Sequence, residues 1–207
     1  MSHWTIYRLR LVNPSWELLS EAVARVAGKL GGRVVYNLEI GVAGRREVYP
    51  LAIEARARLY RPLAITVGAD GSLAVVGEAA DVRSVVPMLE AEYAALAIAR
   101  AAASLGFQVE RSEGDGSIML TLRKGSKVNV VAVRGGSVEV DARGYTGAEC
   151  VRDADALLSS LPGVEGRIEK RVLKPEAKLV VQGSGGRLLS QTSGIAAERE
   201  ASYRLCG

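Results

Sequence analysis

Cys150 follows the turn Gly144-Tyr145-Thr146-Gly147 at the mouth of a predicted helix. A thiol placed there could be a nucleophile, a metal ligand, half of a disulfide or a small core group. The rest of the chemical inventory is thin. His3 is the one histidine of 207 residues, so no His-His metal site forms, and a nucleophile–histidine pair would have to draw on this terminal residue. Catalysis would then rest on carboxylates, Lys, Tyr or Cys. The acid pairs Glu90/Glu92 and Asp153/Asp155 sit two apart on helices and so do not face each other. The stretch Gln182-Gly-Ser-Gly-Gly-Arg187 lacks the Gly-Lys-Ser/Thr of a P-loop and the β-α-β setting of a dinucleotide fingerprint, and it reads as a hairpin turn. No catalytic, metal or cofactor-binding residue is assigned on these grounds, and no cofactor is expected.

Helical phase narrows the thiol. Thr146 and Glu149 have capping-box spacing, which makes Thr146 the N-cap and Cys150 the fourth helical residue, facing Tyr145 as in a hydrophobic staple. Ala154, Leu157, Leu158 and Leu161 continue the same stripe. A helix N-terminus activates a thiol and burial deactivates it; with Arg152 out of phase, the core reading is favoured. Cys206 is the other cysteine. Amides are few (Asn13, Asn37, Asn129, Gln108, Gln182, Gln191), as in a thermophile or under a GC-rich genome. In a hyperthermophile a Cys150–Cys206 bridge would close a loop of more than fifty residues, worth ~4 kcal/mol by the chain-entropy model. Two free thiols are the favoured expectation, because intracellular disulfides are otherwise rare.

Arg8 and Arg10, with Arg56 and Arg58, alternate along two segments read as strands. If those strands are neighbours, four guanidinium groups make one basic face able to meet phosphates. The competing reading is a solvated outer face. One Phe and two Trp leave few stacking platforms for single strands, and a net charge of +4 permits acidic partners without requiring them.

The elements that must position these groups follow from periodicity. Trp4–Val12 alternates as a strand, Asn13-Pro14 signals a helix start, and Leu19, Ala22, Val23, Val26, Ala27 and Leu30 recur at helical spacing up to Gly31-Gly32. Residues 33–40 return as a strand, 41–50 read as a loop or loose edge, and 51–60 read as a strand between Pro50 and Pro62. Hairpins are expected at Asp70-Gly71, Asp115-Gly116 and Gly135-Gly136. Between the first two runs an alanine-rich helix capped by Ser84, with Pro87 in its first turn, a stripe through Leu89, Tyr93 and Leu96, and Gly106 as its stop. A shift of 65 residues lays the hairpin and helix after Gly71 on those after Gly136; convergent packing explains this better than duplication. Residues 167–173 form a charged strand, Pro175 breaks it, 178–191 form a fourth hairpin, and the tail could dock a short helix through Ile195, Tyr203 and Leu205.

The expected fold is α+β: a mainly antiparallel sheet built from several β-hairpins, with about three helices packed on one side. Three regions are expected: a module over 1–125, a hairpin-helix-strand module over 126–176, and an extra hairpin with tail over 177–207. No apolar run reaches the ~18–20 residues that cross a bilayer, and the start lacks a signal-peptide layout. A soluble cytoplasmic protein with no membrane partner is expected.

The start Met1–Thr5, the stretch Tyr60–Ala79 and above all Leu89–Lys124 resemble the hypothetical chloroplast reading frame thirty-five family of small uncharacterised proteins. The resemblance spans about residues 1–124, with 41–61 matching poorly. Residues 128–177, with Gly144, Gly147 and Cys150 in a Gly-x-x-Gly-x-x-Cys helix start, resemble a short companion family of unknown function. Members of the two families are often encoded side by side, near ATPases of the AAA type. The resemblance implies a fusion of the pair and cooperation with such an ATPase, and no known activity comes with it. The expected function is a non-enzymatic interaction or adaptor module, with nucleic-acid binding on the arginine face and a thiol-dependent enzyme as the alternatives.

Overall fold

A computed structural model describes residues 3–42, 45–145, 149–173 and 203–204. Its order is β1 (His3–Leu11), α1 (Trp16–Lys29), β2 (Arg33–Val42), β3 (Arg45–Glu54), β4 (Leu63–Val67), β5 (Leu73–Val76), α2 (Ala79–Ser104), β6 (Gln108–Gly114), β7 (Ser117–Lys124), β8 (Lys127–Arg134), β9 (Ser137–Arg143), α3 (Glu149–Ser159), β10 (Val164–Leu173) and β11 (Tyr203–Arg204). A seven-stranded sheet runs β11-β10-β1-β9-β8-β7-β6 and a four-stranded sheet runs β2-β3-β4-β5. Every pairing is antiparallel. The fold is α+β, as expected.

Alternation decides which face of the large sheet is dry. Ile118, Leu120 and Leu122 on β7 sit in register with Val133, Val131 and Asn129 on β8, and these with Val138, Val140 and Ala142 on β9. All nine side chains are buried. Helix α2 lies against β6, β7 and β8, and α3 lies against β9 and α2. Helix α1 packs on α2 and backs onto β2 and β3 of the small sheet. With a sheet on one side and a helix on the other, α2 is buried at every position from Ala91 to Ile98. That is why its sequence is apolar all round rather than striped. Its end is closed by Gly106 at φ +81° and by Lys124 on β7, which donates to the Leu105 carbonyl at 2.7 Å.

The three expected hairpins form, with Gly71, Gly116 and Gly135 in the left-handed region. Other local expectations give way to long-range contacts. Helix α1 starts at Trp16 with Ser15 as N-cap, because Asn13 (φ 49°) donates its N–H to the Gly71 carbonyl at 2.7 Å and so belongs to a strand junction. Helix α2 begins at Ala79, before Ser84, which leaves Pro87 inside the helix. Asp81 anchors that early start by accepting the Tyr60 N–H at 2.8 Å, and Ser84 donates to the Asp81 carbonyl instead of capping. Of the two readings for 41–50, loop or paired edge, the described residues take the second: β2 and β3 pair from Arg33↔Glu54 to Val42↔Arg45. The segment 51–60 is strand only to Glu54; it then turns so that Ala55 and Leu59 are both buried.

The two hairpin-helix units that align in sequence belong to different sheets. The large sheet runs through residue 125, with Lys124↔Lys127 in register, and β1 pairs on both flanks with the later strands β9 and β10. Tyr203 lies in a strand opposite Ile168 rather than in a docking helix; Ile195, Leu205, Pro175 and the expected fourth hairpin lie outside the described residues. Among the described residues no helix is long and apolar enough to cross a membrane.

Candidate functional site

The structure separates the four arginines. Arg8 and Arg10 lie in β1, inside the large sheet, where Arg8 is in register with Arg167 and Ser137 and Arg10 with Glu165. Arg56 and Arg58 lie in the turn that follows β3 of the small sheet, and Arg56 contacts Glu54 at 3.5 Å. Residues 56–58 form a turn rather than a strand, and β1 and β3 belong to different sheets, so the two arginine pairs do not lie on neighbouring strands. Cys150 is a free, fully buried thiol packed with Ala142 and Tyr145. Burial pushes its pKa up, which keeps the thiol protonated and a poor nucleophile. Thr146, Gly147 and Cys206 lie outside the described residues. Below Cys150, Asn129 donates to the Tyr145 hydroxyl at 2.7 Å, and Lys127 lies 5.1 Å from the Tyr145 ring centre. The Asn129 carbonyl oxygen is buried and has no partner among the described residues.

The paired acids diverge as their spacing requires. Asp153 meets Lys127 at 3.2 Å, and Asp155 meets Arg171. Glu92 is fully buried between three elements. Its two carboxylate oxygens accept from Arg111 of β6 at 2.8 and 2.7 Å, and Lys29 at the end of α1 lies 2.6 Å from Oε1. Glu113, two residues beyond Arg111 on the same strand face, closes the ring at 2.6 Å to both cations. The four charges alternate and cancel. Hydrogen bonds from Lys29 and Arg111 hold the Glu113 carboxyl below its ordinary range. Burial alone would lower the pKa of Lys29, but its bonds to Glu113 and Glu92 outweigh that and raise it. Lys29, Arg111 and Glu113 are thereby held in their charged forms, and the ring's bonds are spent on one another, which suits joining α1, α2 and β6. A cleft of about 310 Å³ opens beside the ring, floored by Pro87, Met88, Ala91 and Ile118.

A second cleft, of about 430 Å³, lies where the two sheets meet and contains Glu90. The third feature is a projection. β4 is in register with β3 only over Leu51–Ile53, so β2 and β3 continue past it as a two-stranded arm out to Val42 and Arg45. β2 is the outer strand of its sheet, with one flank unpaired among the described residues. Val48 on this arm, and Tyr36 on β2 at its base opposite Leu51, are each 64% exposed.

No protein-family profile, curated protein or solved structure matches the chain. The site is therefore read from geometry. The ring was missed because its members are up to 84 residues apart, from Lys29 to Glu113. A signal did exist: Glu92 is the lone charge in the apolar run Ala91–Ala99, and a charge in such a run must be paired.

Proposed function

We propose that the chain is a non-enzymatic interaction module, an adaptor that works with an ATPase of the AAA type. The observation that carries the interaction reading is the β2–β3 arm. With β2 it offers a strand edge unpaired among the described residues and two large exposed groups, Val48 on the arm and Tyr36 at its base, the features by which one chain adds to the sheet of another. The ATPase enters through the family resemblance alone. Supporting the reading further, the buried ring uses its carboxylates and cations on one another, and the thiol of Cys150 is enclosed.

The test pairs the full chain with the AAA-type ATPase encoded nearest to it. Wild type should bind, and the double variant Tyr36→Asp, Val48→Asp should lose ~10-fold or more in affinity while keeping its unfolding temperature, as expected for anchors at an interface. Failure of the wild type to bind, or equal binding by the variant, refutes the reading.

A further inference from the structure

The seam between the two sheets holds a carboxylate, Glu90, with no ion-pair or hydrogen-bond partner among the described residues. At the end of β1 the chain leaves the large sheet through a bridge between Val12 and Ser72, which joins it to the β4–β5 turn. Beside that bridge α2 lines the cleft with Val82, Val86 and Glu90, on one helix face at four-residue spacing. Leu11, Leu73 and Val75 form the opposite wall. The cleft's polar rim is already engaged. The Ser72 hydroxyl donates to Asp70 at 2.6 Å; exposed Arg10 also lines the cleft and forms no ion pair with Glu90 among the described residues. Glu90 is half-buried, and no hydrogen bond or cation offsets its burial, which pushes its pKa up. Two residues away Glu92 has two cations; Glu90 has none among the described residues.

We propose that this seam cleft binds an alkylammonium group, with the cation paired to Glu90 and the apolar stem laid along Val82, Val86, Leu73 and Val75. The volume lies in the range of small-ligand sites, which join an apolar lining to a few placed polar groups. A cation is the complementary charge because the unbalanced group is acidic. A stem is required because the walls between Glu90 and the rim are aliphatic. The same chemistry is carried by a free amine and by a lysine side chain.

Titration calorimetry of the full chain at pH 8 tests this with n-hexylamine, hexan-1-ol and hexanoate as probes. Hexylamine should saturate one site, and the two other probes should bind at least ~10-fold more weakly, a difference of about 1.4 kcal/mol. Glu90→Gln should remove that preference and leave hexanol binding unchanged. Its unfolding temperature should not fall, because the substitution removes an uncompensated charge. Nα-acetyl-lysine amide separates the sources: saturation comparable to hexylamine supports a protein side chain, and saturation by hexylamine alone supports a free amine. Absence of saturable amine binding, equal binding of hexanoate, or unchanged amine affinity in Glu90→Gln overturns the proposal.

Discussion

Replacing Glu92 with Gln keeps the shape of the side chain and removes its charge, and the consequence can be worked from the ring. The carboxylate accepts two bonds from Arg111 and one contact from Lys29, at 2.6–2.8 Å, with only 1% of its side chain exposed. Breaking a buried pair costs about 3–5 kcal/mol when the remaining charge stays buried. Here Lys29 and Arg111 retain 33% and 21% exposure and keep Glu113, so the lower end applies, about 3 kcal/mol. For a chain of this size that corresponds to roughly 6–12 °C in Tm. Urea unfolding at unchanged m measures it directly. Glu113 adds a pH signature. Its folded pKa is lowered from 4.5, so its contribution is complete above that value and is lost as pH falls through the folded pKa. Glu113→Gln should flatten the acid limb below pH 4.5 and change little at pH 7, where a half-exposed pair contributes at most about 1 kcal/mol. A stability for Glu92→Gln within about 0.5 kcal/mol of wild type would refute the reasoning, since it would mean that the ring contributes nothing net.

Tyr93→Phe should cost about 2 kcal/mol in the same assay, because the hydroxyl accepts the Ser15 N–H and donates to the Pro162 carbonyl, each at 2.8 Å, and both partners would be left unpaired. Gly163→Ala should be worse, at about 3 kcal/mol: φ is +67°, and the new methyl would lie 2.5 Å from the Pro14 Cα and 2.7 Å from the Tyr93 hydroxyl. Combining it with Tyr93→Phe should give less than the sum, since both loosen the same junction. In a Cys206→Ser background iodoacetamide should modify Cys150 at a rate that follows unfolding in urea, and rapid labelling of Cys150 in the folded protein would contradict its burial.

What could be read ahead of the structure depended on how far apart the interacting residues are. Asp115-Gly116 adopts φ of 50° and 69° because two adjacent residues decide a tight turn, and nothing remote is needed. The α1 stripe through Leu19, Val23 and Val26 needed only a period. The start of α2 was misplaced because Ser84 and Pro87 are local signals, while the bond from Tyr60 to Asp81 that extends the helix crosses 21 residues. Alternation in residues 51–60 could not separate a strand from a strand that bends at Ala55 to bury Leu59. It likewise could not say that β1 and β3 belong to different sheets, which is what divides Arg10 from Arg56. The arm was invisible for a related reason: its length is set by where β4 stops, a property of another segment.

The position of β1 also governs how this chain can be made. β1 is synthesised well before both of its sheet neighbours, which lie far downstream at Ser137–Arg143 and Val164–Leu173. Until those strands are made, residues 3–11 are thus an unpartnered strand, while β2–β5 and the later hairpins can form from neighbouring sequence. Closure of the large sheet must wait for β10, which makes it a high-contact-order and therefore slow event. A ribosome stalled before residue 164 would release a chain with one flank of β1 open, the kind of edge that templates aggregation. Chaperone demand should accordingly peak late in translation, and it should fall in a circular permutant that places β1 directly after β10.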